Sequence, residues 1–205
     1  MRKQAAMGAL VLFSLALLAG LAYPQENSKE LTRAIAQARQ ERDAEMPKGD
    51  ELPDADKKGF AGLHYFPIDL TYRFHAVLHR IGKADYFDMI ASDGRVRQAR
   101  RYGYFEFTVK GTPCRLYVYR LTDVAQKYPH LLFVPFTDGT TNVESYGGGR
   151  YLDLDDKPTD EHVLDFNLAY NPSCAYGRST FSCPIPPAEN RLGVRIEAGE
   201  KKWKH

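Results

Sequence analysis

From Phe60 onward the chain alternates apolar and polar residues with a period of two, in short runs rich in tyrosine, phenylalanine and valine. Period two is the repeat of an extended strand with one buried face, whereas a helix needs an apolar residue at every third or fourth position. The clearest pair is Tyr104-Phe105-Glu106-Phe107-Thr108-Val109 and Leu116-Tyr117-Val118-Tyr119, joined across Gly111-Thr112-Pro113, which reads as a β-hairpin. Further strands are expected at 72–79, 85–91, 131–136, 150–154, 163–168 and 191–197, with Asp93-Gly94 and Asp138-Gly139 as turns. Short segments in such close succession predict a mainly β fold, an antiparallel sandwich or partly closed barrel, preceded by one N-terminal helix. With 205 residues, 43% of them hydrophobic, the chain can bury one core of ordinary size.

The first sixty residues follow a different rule. Asn27-Ser28-Lys29-Glu30 resembles a capping box, and Leu31, Ala34, Ile35 and Ala38 recur at helical spacing in a stretch that reaches about Met46. This predicts one amphipathic helix with a narrow apolar face, either docked on the domain or lying on it as a solvated spacer. Residues 46–59 carry Pro47, Gly49, Pro53 and Gly59 among charged side chains and read as a linker, so 23–59 is helix and linker and 60–205 a single β-rich domain. Ahead of them, Arg2 and Lys3 precede an uncharged run that ends at Glu26, and Gly20 and Ala22 stand at the −3 and −1 positions of a cleavage before Tyr23. That is the layout of a secretory signal over residues 1–22. Left uncleaved, residues 5–22 would anchor the domain to the inner membrane. The expected location is therefore periplasmic or extracellular, with membrane contact limited to that segment.

Lys and Arg number 28 against 26 Asp and Glu, and without Arg2 and Lys3 the two signs balance, so there is no electrostatic case for nucleic acid. Chemistry is concentrated instead between Phe133 and Asn190. In 163–168 alternation sets Leu164, Phe166 and Leu168 against Asp165 and Asn167, and in 150–155 it sets Leu152 and Leu154 against Tyr151 and Asp153. Paired as a hairpin across 156–161, these segments would gather Tyr151, Asp153, Asp165 and Asn167 on one polar wall. The plainer reading of such a wall is the wet face of a sheet. Gly147-Gly148-Gly149-Arg150 offers bare backbone N–H groups beside a guanidinium, suited to a carboxylate or phosphate, but it lacks the Lys-Ser/Thr of a P-loop and also fits a bulged turn. Cys174 and Cys183, nine positions apart in a Pro-rich loop, are expected to form a local disulfide, with Cys114 left as a buried strand thiol. His75 and His79 share a strand face without a third ligand, and the acidic run from Asp153 to Glu161 lacks the glycine of an EF-hand loop. Neither a metal nor a cofactor is expected, and no G-x-S-x-G elbow supports a serine hydrolase.

The same region carries a longer signature. It comprises Leu132-Phe133-Val134-Pro135-Phe136-Thr137-Asp138, Ser145-Tyr146-Gly147-Gly148-Gly149-Arg150-Tyr151, Leu164-Asp165-Phe166-Asn167-Leu168-Ala169-Tyr170-Asn171-Pro172-Ser173-Cys174-Ala175-Tyr176, and Cys183-Pro184-Ile185-Pro186-Pro187-Ala188-Glu189-Asn190-Arg191-Leu192 with Ala198-Gly199-Glu200. With Phe60-Ala61-Gly62-Leu63-His64-Tyr65-Phe66-Pro67 upstream, this resembles the domain of unknown function 1684 family from about Phe60 onward. The resemblance implies a shared fold and a shared site around Asp138, Arg150, Asp165, Asn167 and Glu189, without supplying a reaction. Ser173 and Asn142 depart from the family pattern, which usually has an aromatic residue or proline at the first and glycine at the second. The functional expectation is an exported domain that binds a small polar or anionic ligand: Arg150 pairs with the anion, Asp165 and Asn167 orient it, and Tyr151 stacks or donates a hydrogen bond. The alternatives are a hydrolase-type enzyme with Asp165 or Glu189 as general base, and a structural or interaction domain whose polar residues satisfy one another.

Overall fold

The computed structural model describes residues 27–178 and 180–203. Alternation pays out as expected: β1 (Arg73–Ile90), β2 (Val96–Val109), β3 (Thr112–Leu121), β4 (Leu131–Phe136), β5 (Arg150–Asp155) and β6 (Glu161–Asp165) form one antiparallel sheet in the order β5-β4-β3-β2-β1-β6. The sheet curls until it is nearly closed into a barrel, with one main helix ahead of the strands. The strands expected at 72–79 and 85–91 are a single strand, β1, whose register on β2 shifts between Arg80 and Asp85, so an irregularity there interrupts the ladder without ending the strand.

One expected pairing and one expected strand fail. Residues 150–154 and 163–168 do not form a hairpin: β5 pairs with β4, β6 pairs with β1 through Arg73↔Asp165 to Val77↔Glu161, and the two lie at opposite edges of the sheet. The connection between them is drawn across one end of the barrel because Asp156 accepts hydrogen bonds from Arg80 and Tyr102, while Leu78 N–H donates to the Asp160 carbonyl. Residues 191–197 form no ladder either. Leu192 and Ile196 still drop into the core with Val194 beside them, but the segment is held by an isolated bridge, Thr137↔Arg191. Its period-two pattern reports burial on one side, which a strand and an extended strap satisfy equally.

The core lies inside the barrel. Ala76 and Leu78 of β1, Phe105 and Phe107 of β2, Leu116 and Val118 of β3, Leu132, Val134 and Phe136 of β4, Leu152 of β5 and Leu164 of β6 face one another there. Each of the larger of these side chains, removed from water, contributes about 1.5–3 kcal/mol. A second, smaller cluster covers the outer face, where Met89, Ala99, Tyr119, Leu121, Phe133 and Tyr151 pack.

Helix α1 (Ser28–Glu45) starts where Asn27 accepts from Lys29 N–H at 3.1 Å. It docks by a stripe at spacings of four, three and four residues, Ile35, Arg39, Arg42 and Met46, in which two of the four positions are arginine. Arg39 donates to the Asn167 carbonyl at 3.0 and 3.2 Å and to the Phe66 carbonyl at 2.9 Å. Arg42 pairs with Glu200, and Asp43 accepts from Leu63 N–H at 3.1 Å and from the Tyr65 hydroxyl at 2.9 Å. The narrow apolar face is thus completed by polar contacts that close one end of the barrel. The expected linker is packed as well: it contains a one-turn helix, α2 (Asp54–Lys57), and buries Met46 and Leu52 against Leu63 and Tyr176. Its Pro and Gly residues mark turns, not solvation. The signal or anchor expected over 1–22 lies outside the described residues. Among those that are described, no helix is long and apolar enough to cross a membrane.

Candidate functional site

The six residues singled out in the sequence are dispersed over four places. Arg150, first residue of β5, points into the barrel and is fully buried. Its guanidinium donates to Asp138 Oδ1 at 3.1 Å, to Thr140 Oγ1 at 3.2 Å and to the carbonyls of Ile196 and Ala198. Asp138 is also buried and accepts in addition from Thr140 N–H at 3.1 Å and Ile196 N–H at 2.7 Å. Burial pulls the Arg150 guanidinium below its ordinary value, and the Asp138 charge works against that shift. The pair pins the 191–198 strap and the 138–145 turn to the end of β5.

Asp165 and Asn167 are brought together, but not on a strand. Residues 166–168 turn into a 3-10 helix, capped by Asp165 accepting from Asn167 N–H at 3.0 Å, which rotates Leu168 out to 44% exposure and buries Asn167. The Asn167 amide donates to Asp165 at 2.9 Å and to the Asp69 carbonyl at 2.9 Å, and Arg73 pairs with Asp165 at 3.1 Å. Glu189 sits elsewhere, held by Arg101 at 2.9 and 3.0 Å and by the Tyr119 hydroxyl at 2.6 Å. Both carboxylates named as general bases are therefore engaged by a guanidinium.

The glycine triplet serves packing. Gly149 has φ +84° and a Cβ there would stand 2.6 Å from the Phe136 carbonyl, while the Tyr146 ring lies over Gly148. Asn142, which replaces the usual glycine, has φ +65°, a region that asparagine tolerates better than most side chains. His79 stacks on Tyr104 with ring centroids 4.8 Å apart. Among the described residues no group of His, Cys, Asp and Glu is arranged to hold a metal ion.

Of the predicted residues, Asp165 borders a small cavity of about 200 Å³ and Tyr151 lines a larger cleft. This cavity, about 400 Å³, opens on the outer face of β4 and β5. Its floor is aromatic: Phe133 and Tyr151 meet edge to face at 4.7 Å between centroids, and Tyr151 and Tyr170 at 5.7 Å. Tyr128 and Phe181 flank it, and the Cys174–Cys183 disulfide, with Cα atoms 6.3 Å apart, braces the loop that forms one wall. Polar groups converge at one side. Asp153 belongs to an exposed position of β5, yet protein crowds its carboxyl enough for burial to hold it above the usual carboxylate range, partly offset by the hydrogen bond at 2.7 Å from the Tyr170 hydroxyl. Burial and the Asp153 charge in turn push the Tyr170 hydroxyl well up, and Arg97, paired with Asp123 at 2.8 Å, borders the same cleft. Tyr170 escaped the sequence reading because nothing in the alternation of β5 says which distant residue bridges Tyr151; the signal was its place in the dense Asn167-to-Tyr176 stretch. A wider depression, about 630 Å³, opens over Gly147 and Gly148 beside Trp203. Its perturbed group, Tyr176, is tied to Glu200 at 2.6 Å beneath the surface, so we place the candidate site in the aromatic cleft.

Residues 58–201 match the family described as protein of unknown function (DUF1684). Among solved structures, an uncharacterized protein of Haloarcula marismortui determined by solution NMR is similar, with 34% sequence identity, a TM-score of 0.65, and coverage of 84% of this chain and 95% of that one. No curated protein matches.

Proposed function

Because the chain belongs to the DUF1684 family, which has no assigned activity, we propose its function from the site alone: it binds a small polar ligand in the aromatic cleft beside Tyr151. The observation that carries this reading is the cleft's make-up, an apolar aromatic floor with a few converging polar groups, which is the usual composition of a small-molecule site. Asp153 and the Tyr170 hydroxyl orient the polar end, and Tyr128, 48% exposed, covers the apolar body. The anion-pairing role first considered for Arg150 has no place in this cleft, since that guanidinium is spent inside the barrel. Export to the periplasm or cell exterior remains part of the proposal, and the Cys174–Cys183 bridge suits an oxidising compartment.

The test is a thermal-shift screen of the chain against small sugars, amines, carboxylates and nucleosides, repeated on Tyr128→Ala and Asp153→Asn. A ligand that raises the wild-type midpoint with the logarithm of its concentration, and does so at least about tenfold less tightly in either variant, is the expected result. A hit that binds both variants as it binds the wild type would overturn the assignment. A hydrolase reading is favoured by one observation, the raised Asp153 carboxyl beside Tyr170, which is the condition a general acid requires. Under that reading Asp153→Asn abolishes turnover of a bound ligand while leaving its affinity nearly unchanged.

A further inference from the structure

The end of the barrel opposite helix α1 is closed by an uneven set of charges. Arg120 continues the inward-facing series Leu116 and Val118 on β3, and Arg80 continues Ala76 and Leu78 on β1. Arg100 stands directly opposite Arg120 in the β2/β3 ladder. Like charges facing each other across a ladder repel, so the arrangement needs anionic compensation. The three guanidiniums surround one ring, that of Tyr102, at 4.4 Å for Arg120, 5.3 Å for Arg80 and 5.5 Å for Arg100.

The chain compensates two of the three. Asp156 accepts from Arg80 at 3.0 Å, from Arg120 and from the Tyr102 hydroxyl at 2.8 Å, and Asp160 takes the Nε of Arg80. Arg100 lies over Tyr102 with no carboxylate at ion-pair distance among the described residues, and its Nε is buried without a partner. The Nε of Arg120 and the Nε2 of His162 are also buried and unpartnered. His162 comes from β6, where it pairs with Ala76 in register, is 4% exposed and packs edge-on against Phe105 at 5.4 Å. Buried polar nitrogens in native proteins nearly always have an acceptor. Three of the five buried, unpartnered side-chain nitrogens among the described residues, those of Arg100, Arg120 and His162, lie at this end, beside a cation left without a counter-charge; the other two, on Arg150 and Trp203, lie elsewhere.

We propose that this mouth binds a small tetrahedral oxyanion, a phosphate or sulfate group, with Arg100 as its anchor and Arg120 and His162 as flanking partners. Asp156 acts as an internal counter-charge that holds Arg80, Arg120 and Tyr102 in place. Donors disposed around a ring suit oxygens spread in three dimensions better than the planar fork of one carboxylate. The site is separate from the aromatic cleft and does not depend on it.

Isothermal titration of the chain with inorganic phosphate, sulfate and methyl phosphate, at low and constant ionic strength set with chloride, tests the proposal, together with the Nε–H resonance of Arg100 by NMR. Saturable binding that shifts the Arg100 Nε–H signal, weakens about tenfold or more in Arg100→Gln and is partly retained in Arg100→Lys is the expected result. Among the described residues Arg100 makes no side-chain hydrogen bond, so Arg100→Gln removes only its stacking over Tyr102, and Arg100→Lys keeps a cation there. Tighter binding of methyl phosphate than of inorganic phosphate would identify an ester as the occupant, and the reverse a free ion. No saturation beyond the chloride control, an unmoved Arg100 signal, or equal affinity in Arg100→Gln would each overturn it.

Discussion

At the scale of the residue, Arg150 shows how chemistry visible in a sequence changes meaning with burial. A guanidinium after three glycines is a reasonable anion anchor on paper, but Asp138, Thr140 and backbone carbonyls engage both its terminal nitrogens inside the core. Its role is then to hold structure, and the expected outcome of Asp138→Ala is a loss of about 3–5 kcal/mol in unfolding free energy, measured by urea denaturation, because a buried cation is left without its counter-charge. Ligand binding in the cleft of the remaining folded protein stays unchanged. Tyr151 reaches the outer face as alternation requires, where its hydroxyl donates to the Pro184 carbonyl and its ring meets Phe133 and Tyr170. Asp165, Asn167 and Glu189 were legible in the sequence as candidate site residues, yet their partners Arg73, Asp69, Arg101 and Tyr119 come from segments 70 or more positions away, and no local pattern announces a partner at that distance.

At the scale of the element, α1 is the instructive case. Its weak apolar stripe left docking undecided, and the structure settles it with arginines whose stems pack while their heads reach backbone carbonyls and a buried carboxylate. Arg42 is the key contact, since Glu200 is 1% exposed and relies on it together with Asn171 N–H and the Tyr176 hydroxyl. Arg42→Ala is expected to destabilise the protein by about 3–5 kcal/mol, with much of the loss recovered in the double variant Arg42→Ala, Glu200→Gln. A double-mutant cycle in guanidinium chloride checks this, and additivity of the two changes would contradict it. Strand existence was readable for β1 to β6 because side-chain alternation is a local property. The 191–197 strap was misread for the same reason: alternation records which face is buried, whereas strand identity requires a neighbour to pair with.

At the scale of the whole molecule, closure of the sheet governs what the surface can do. The two edges β5 and β6 approach without pairing, helix α1 covers one end, and the Arg80, Arg120 and Asp156 cluster fills the other. The Pro-rich segment from Asn171 to Pro187 then lies over the outer face, where the disulfide fixes the cleft wall. Since the bridge closes a loop of nine positions, reduction or Cys174→Ser with Cys183→Ser is expected to cost about 2–3 kcal/mol by the loop-entropy estimate, seen as a lower melting midpoint in the presence of reductant. An unchanged midpoint would mean that packing alone holds the wall. The sequence by itself determined the β class, the helix ahead of it, the faces each strand buries and the cysteine pair, because these follow from backbone periodicity and short-range spacing. Only the tertiary structure decided that β5 and β6 stand at opposite edges, that Arg150 is a structural pin and that the open cleft lies beside Tyr151. Those outcomes depend on which distant groups satisfy one another once the sheet closes, and a burial pattern of period two is the same whatever the neighbour.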